Sequence, residues 1–286
     1  MKLSIIVPVY NMASDGKLNY CLDSLAAQTI SDYEVITVDD ASTDESFSIL
    51  LEYEKKYPGK FKAVHSEVNK RQGGAKNIGL SLAKGEWIGF IDSDDWILPT
   101  MYEKLIGHAE ETGADMVGCD YCLTDEHSMK IGKHVENGKA EQSGVLGNKQ
   151  CRSLILDSGS LVVKVYRREI ANQVLAESIE IMDNAISDAV LLQAHHYEYI
   201  PEVMYFYYQH EGSTVHTISR ERCEDRMAAG RGILENAKKF GYLETYRPEI
   251  CFEYTMLFYV NTLFSYMVGK GHKSLSFIRK MGKELK

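Results

Sequence analysis

An α/β fold, with a mostly parallel central sheet and helices on both faces, is what this sequence of 286 residues predicts. Two observations in the first 120 residues carry the prediction, and a third bounds it. Short apolar or β-branched runs alternate with helically spaced apolar residues, the pattern of strands joined by crossover helices. Polar side chains cluster directly behind those runs, where open α/β sheets place their ligands, beyond the carboxyl ends of the strands. From Ser219 onward the spacing is helical and aromatic, with no further strand-like run.

The predicted strands, in order, are Leu3–Val9, Tyr33–Val38, Phe61–His65, Trp87–Ile91 and Met116–Cys119. Between them the apolar positions fall on one helical face: Leu18, Leu22 and Leu25, then Ile49 and Tyr53, then Ala75, Ile78 and Leu82, then Met101, Leu105 and Ala109. Residues 122–150 are polar and Gly-rich without periodicity, and read as an excursion or hairpin. Strand-like runs return at Leu161–Tyr166, Glu198–Ile200 and Val203–Tyr208. A boundary near residue 216 separates this domain, 1–216, from a helical appendage, 217–286.

Composition narrows the function classes. A formal net charge of −9 disfavours nonspecific nucleic-acid binding, which needs Lys and Arg to neutralise phosphates. Cys119 and Cys122 form a lone CxxC without the second ligand pair of a structural zinc site, so the six cysteines read as reduced intracellular thiols. No signal peptide is visible after Lys2. The longest apolar stretch, Tyr254–Val268, falls short of the roughly 20 residues that span a bilayer. These readings place the chain in the cytoplasm, free or peripheral to the inner face of the plasma membrane.

Three strand ends carry the chemistry. The first ends in Pro8, Tyr10 and Asn11; the second in "DDASTD", Asp39 to Asp44; the fourth in "DSDD", Asp92 to Asp95. If Asp92 to Asp95 is extended, Asp92 and Asp94 share a face about 7 Å apart and Asp95 points away from them, to cap or brace the helix after Pro99. Two carboxylates on one face suit a hard cation, Mg²⁺ or Mn²⁺, that completes its shell with phosphate oxygens. Asp40, Ser42 or Thr43 would cap the helix beginning near Asp44. A cap uses one side chain, which leaves the pairing of Asp39 with Asp40 unexplained. "KRQGGAKNIG", Lys70 to Gly79, opens a helix with Arg71 and Lys76 nearby. It is not a P-loop; a Gly-rich helix start beside cations suits a neighbouring phosphate, and a loop with solvated cations is the equally weighted alternative.

Together "SIIVPVYN", "DYEVITVDDASTD", "GGAKNIGLSLAKGEWIGFIDSDD" and "YIPEVMYFYYQHEGST" resemble, in content and order, the family 2 glycosyltransferases of the GT-A fold, over about Lys2 to Thr217. The resemblance implies a nucleotide-sugar donor, usually a UDP-sugar, with Pro8 and Tyr10 flanking its base and Asp40 accepting from the uracil N–H. It implies that Asp92 lies near the ribose and metal, that Lys76 neighbours the diphosphate, and that Asp94 holds Mn²⁺ or Mg²⁺. His210 would reach the metal or diphosphate, and an imidazole ligand favours manganese. Asp183, in "EIMDNAIS", would be the base of an inverting displacement, with Glu177, Glu180 and Asp188 as alternatives in the same stretch. A hydroxyl on a glycan or lipid-linked acceptor of surface polysaccharide synthesis would receive the sugar.

The chain departs from the family pattern twice. Lys76 stands where arginine is common, keeping charge but losing bidentate geometry. Met182 stands where a glutamate precedes the base, and losing a like-charged neighbour would lower the pKa of Asp183 without removing its function. A catalytically weak or silent nucleotide-sugar-binding homologue is therefore the alternative. The C-terminal helices, aromatic and basic (Lys270, Lys273, Arg279, Lys280, Lys283), would cover a flank of the sheet, rest on a membrane, or form a homodimer.

Overall fold

The computed structural model describes residues 1–157, 160–175, 193–209, 220–268 and 274–284. The strands are β1 (Leu3–Val9), β2 (Tyr33–Asp39), β3 (Phe61–His65), β4 (Trp87–Phe90), β5 (Trp96–Ile97), β6 (Met116–Thr124), β7 (Lys133–Val135), β8 (Gly144–Val145), β9 (Lys164–Arg167) and β10 (His196–Tyr208). They form one sheet with the path β3-β2-β1-β4-β9-β6-β10-β5, on which β7 pairs with β6 and β8 with β10. β3, β2, β1 and β4 are mutually parallel; β9 runs against both β4 and β6, so β6 and its parallel partner β10 share the direction of β4. The predicted α/β architecture is the observed one.

β1 and β2 are buried along their whole length, which explains why they read as near-continuous apolar runs and not as alternating ones. Helices cover both faces. Ile36 and Val38 of β2 pack on Ala75 of α3 (Arg71–Leu82), whereas Val35 joins Leu22 and Leu25 of α1 (Lys17–Ala26) in the main core. A β-carbon on Gly79 would lie 2.4 Å from Ile6 Cγ2, so this glycine sets how closely α3 sits on β1. α2 (Ser46–Lys56) buries Leu50 and Tyr53, and α4 (Met101–Thr112) buries Met101, Leu105 and Ala109.

Several boundaries differ from the sequence reading. The runs 198–200 and 203–208 are one strand, β10, whose pairing with β6 shifts register around Pro201. That proline cannot donate to the ladder, which is why the stretch reads as two strands. Residues 122–150 hold the end of β6, the antiparallel β7 and the start of α5 (Asn148–Leu156), so the excursion is partly regular. After α6 (Arg168–Leu175) and β10 the chain turns helical, as expected: α7 (Arg220–Lys239), α8 (Arg247–Thr255) and α9 (Leu275–Glu284). Beyond α8 the helix continues through a π-helical stretch, Met256–Phe264, in which the Thr262 hydroxyl donates to the Leu257 carbonyl at 2.7 Å.

α8 and the residues just before it dock on α5. Arg152 pairs with Glu249 and donates to the Thr245 carbonyl at 2.7 Å, while the Tyr246 hydroxyl donates to Asn148 Oδ1 at 3.0 Å. Ile233, Tyr246 and Ile250 join the main core, and Met227, Phe258, Tyr266, Phe277 and Met281 form a second one. Among the described residues no helix is long and apolar enough to cross a membrane, and no two of the cysteines form a disulfide.

Candidate functional site

The carboxyl ends of β1, β2 and β4 bring their loops to one edge of the sheet, and the first two loops are stitched together. Asn11 accepts at Oδ1 from the Thr43 N–H (2.8 Å), and its own N–H donates to Ser42 Oγ (3.0 Å). The Met12 N–H donates to Ser46 Oγ (2.7 Å) and the Ala13 N–H to Asp44 Oδ2 (3.0 Å). Asn11 and Ala41 hold left-handed backbone, with φ of 53° and 61°. Ala41 has no side-chain hydrogen bond to offset that conformation, which costs on the order of 1 kcal/mol. The capping expectation is thus corrected. Ser42 and Thr43 tie two loops together, Asp40 reaches elsewhere, and Asp44 Oδ1 takes the Ser46 N–H (3.0 Å) at the start of α2. Pro8 is buried in β1 beside this junction, and Tyr10 stands 46% exposed above it.

The two aspartates ending β2 are both buried and have different partners. Asp39 Oδ2 pairs with His65 Nδ1 at 2.8 Å and accepts from the Ser42 N–H at 3.3 Å. Its Oδ1 is buried with no hydrogen-bond partner among the described residues. Asp40 Oδ1 accepts from the Lys70 N–H at 2.7 Å. Burial pushes the Asp40 carboxyl above the ordinary range; the N–H groups of Lys70 and Arg71 pull it partly back, and the neighbouring Asp39 adds to the rise.

The acidic stretch after β4 is a turn and not an extended strand: the Asp95 N–H donates to the Asp92 carbonyl at 3.1 Å. The division of its carboxylates therefore has a different cause from strand alternation. Asp92 and Asp94 are half-buried at the edge, while Asp95 is 1% exposed and turned inward. Asp95 does not brace the helix after Pro99. Its Oδ2 accepts from the Tyr205 hydroxyl (2.5 Å) and its Oδ1 from the Tyr208 N–H (2.9 Å), both on β10. Burial, with the negative charges of Asp94 and Asp92, holds its carboxyl well above the ordinary range.

α3 supplies the opposing charge. Lys76 is fully buried, with Nζ 3.6 Å from Asp92 Oδ1 and 5.9 Å from the centroid of Phe90. Gln72, one turn earlier on the same helix face, donates from Nε2 to the same oxygen at 2.7 Å. The structure thus brings Pro8, Tyr10, Asp40, Lys76, Asp92 and Asp94 to one edge, with Lys76 lying under Asp92. Asp183 and His210 fall outside the described residues, as do Met182, Glu177, Glu180 and Asp188. No group of three His, Cys, Asp or Glu side chains poised to hold a metal occurs among the described residues. Asp92 and Asp94 alone still fit a hard cation that draws its remaining ligands from phosphate and water.

Sequence reasoning passed over His65, Gln72 and Tyr205. His65 was legible in principle, since it ends β3 in register with Asp39 at the end of the parallel β2. Gln72 could have been found from its spacing to Lys76. Tyr205 carries no local signal, because its contact with Asp95 spans 110 positions.

Known proteins share this fold. Escherichia coli (strain K12) glycosyltransferase YibD is 29% identical over 221 residues, 74% of this chain and 62% of YibD, so the chain spans less than two thirds of that relative. The crystal structure of S. aureus TarS 1-349 in complex with UDP superposes with a TM-score of 0.68 at 22% identity, over 94% of this chain and 76% of that one. The mannosyltransferase PcManGT from Pyrobaculum calidifontis, in complex with GDP-Man and Mn²⁺, follows with a TM-score of 0.58 at 15% identity, over 99% and 79% of the two chains. At these identities the likeness is one of fold, a GT-A-like sheet with flanking helices. The family profile of glycosyl transferase family 2 matches residues 4–175, a span that takes in each of the strand-end loops assembled above, and the chain belongs to that family.

Proposed function

We propose that the chain is an inverting glycosyltransferase that moves a sugar from a UDP-sugar to a hydroxyl of a glycan or lipid-linked acceptor in surface polysaccharide synthesis. The observation that carries the reading is the convergence of Asp40, Asp92 and Asp94 on one sheet edge, beside an exposed aromatic ring, Tyr10. Buried Asp40 accepts the uracil N–H, and Pro8 and Tyr10 flank the base. Asp92, set by Gln72 and Lys76, faces the ribose. Asp94, with His210, holds Mn²⁺ or Mg²⁺; that ion would supply Lewis-acid stabilisation of the leaving diphosphate. Asp183 takes the proton of the acceptor hydroxyl. The fixed loops contribute by positioning the donor before reaction. The UDP bound to TarS and the Mn²⁺ bound to PcManGT support this choice of donor and metal.

The test is turnover of a panel of UDP-sugars with Mn²⁺, with and without added acceptors. Metal-dependent release of UDP is the expected result. Donor binding without release under any condition would sink the enzyme reading and leave a silent nucleotide-sugar-binding homologue. Anomer analysis of the product checks inversion.

Asp40 gives a further expected result, read with uridine so that no metal is involved. A charged acceptor makes the stronger hydrogen bond to the uracil N–H. Because the Asp40 carboxyl is raised, its charge is lost as pH falls through a value above the ordinary ~3.9. Uridine affinity by calorimetry should weaken on acidification before an ordinary aspartate would titrate, and Asp40→Asn should bind more weakly with no such dependence. A wild-type profile flat down to the ordinary aspartate range would contradict the assignment.

The exposed apolar side chains Phe252, Phe264, Met267 and Leu275 lie in the C-terminal helices. They are the surface through which the chain would touch a membrane or a second copy of itself. Flotation with anionic liposomes, comparing the full chain with one carrying polar substitutions at these positions, separates the two.

A further inference from the structure

A cavity of about 240 Å³ lies between β6, the segment after β7 and the end of α5, lined by Tyr121, Glu136, Asn137, Lys139, Asp157 and Ser160. Nothing in the donor reading uses these residues. Their framework is built on buried groups. Asp120 Oδ1, fully buried, takes the Asn137 N–H at 2.8 Å and the Tyr199 hydroxyl at 2.5 Å, which fixes the backbone of the 136–139 segment. A β-carbon on Gly138 would come within 2.7 Å of the Tyr199 ring, so this segment lies flat on β10.

Within the cavity the polar groups are unevenly used. Lys139 Nζ pairs with Asp157 at 2.8 Å, and Gln142 Nε2 donates to the same carboxylate at 2.5 Å. Asn137 Oδ1 accepts the Ser160 N–H at 3.3 Å, which fixes which end of the amide carries nitrogen. The other end, Nδ2, is buried with no hydrogen-bond partner among the described residues. An unmade bond from a buried amide costs about 1–3 kcal/mol, so an acceptor atom is expected there. Two carboxylates against one ammonium leave the lining with net negative charge, which disfavours a phosphate.

Strand register places the cavity relative to the acidic turn. Gly89 of β4 pairs with Val165 of β9, and Val165 pairs with Val117 of β6, so these three lie at one level. Asp92 is three residues beyond Gly89, and Tyr121 four beyond Val117, in the same direction. The cavity therefore lies at the same sheet edge as Asp92 and Asp94. It is displaced sideways by two strand spacings, about 10 Å.

We infer that this cavity is a subsite for an uncharged sugar residue of the acceptor. The Tyr121 ring offers an apolar face, the Asn137 amide donates to a ring or hydroxyl oxygen, and Glu136 and Asp157 accept from hydroxyls. The inference rests on the transferase reading for its meaning but not for its test. Asn137→Asp keeps the shape and the Oδ1 acceptor while removing the donor; Tyr121→Ala removes the ring. The probes are maltose, cellobiose and N,N′-diacetylchitobiose, with glycerol phosphate as the charged comparison, followed by saturation-transfer NMR on the full chain. At least one disaccharide should bind and lose tenfold or more in each variant, while UDP affinity in the presence of Mn²⁺ stays within twofold of wild type. No disaccharide binding, equal binding by wild type and both variants, or preference for glycerol phosphate overturns the assignment. UDP titration of the wild type is read separately, since its failure would overturn the transferase reading itself.

Discussion

Asp94→Asn should lower the rate of sugar transfer by about a thousandfold while leaving the melting temperature unchanged. The size follows from the several kcal/mol that a metal contributes to stabilising a departing diphosphate, at a tenfold loss for each ~1.4 kcal/mol. The carboxamide matches the carboxylate in shape, and Asp94 sits half-buried at the sheet edge and not in the core. Neither packing nor the tie between Asp95 and β10 should change. Initial rates with a UDP-sugar and Mn²⁺, together with thermal melts, check the prediction. Wild-type activity in the variant would refute the assignment of Asp94, and a collapse in stability would recast it as structural.

Lys76→Met should carry the largest stability effect among the site residues. A fully buried ammonium faces a carboxylate that keeps 26% of its side-chain surface exposed, in a turn that holds two further aspartates. Removing one partner of a buried pair costs about 3–5 kcal/mol, and partial solvation of Asp92 reduces this to about 2 kcal/mol. For a chain of this size that is a fall of roughly 5 °C in melting temperature. Mn²⁺ should then raise the melting temperature of the variant more than that of the wild type, since a cation would relieve the uncompensated charge. Equal metal effects on both proteins would show that Lys76 does not neutralise this turn.

The sheet was legible because its strands are buried on both faces and its helices are amphipathic, so period and length identify each element in the first 120 residues. The acidic site was legible for a related reason. Residues such as Asp40 and Asp94 follow a buried strand directly, and position along one strand is local information. Legibility failed where partners are remote or backbone geometry is irregular. The inward turn of Asp95 depends on Tyr205 and Tyr208, more than a hundred positions away. The burial of Lys76 depends on α3 lying close over β1 at Gly79. β5, with two residues, is too short to show a period, and Pro201 disguised β10 as two strands.

The inward carboxylate has one more consequence. Within four consecutive positions, Asp95 fastens the turn to β10 and Asp92 and Asp94 face the edge. The fastening runs through the Asp95 carboxylate and through the Asp92 backbone, whose N–H points to the Tyr205 hydroxyl at 3.5 Å, so a change of side chain at position 94 leaves these bonds in place. A lineage carrying this turn could exchange one metal preference for another, or abandon metal altogether, through substitutions at Asp94 alone. If Asp94 holds a cation as proposed, the same separation makes position 94 the place to begin when redesigning cation preference.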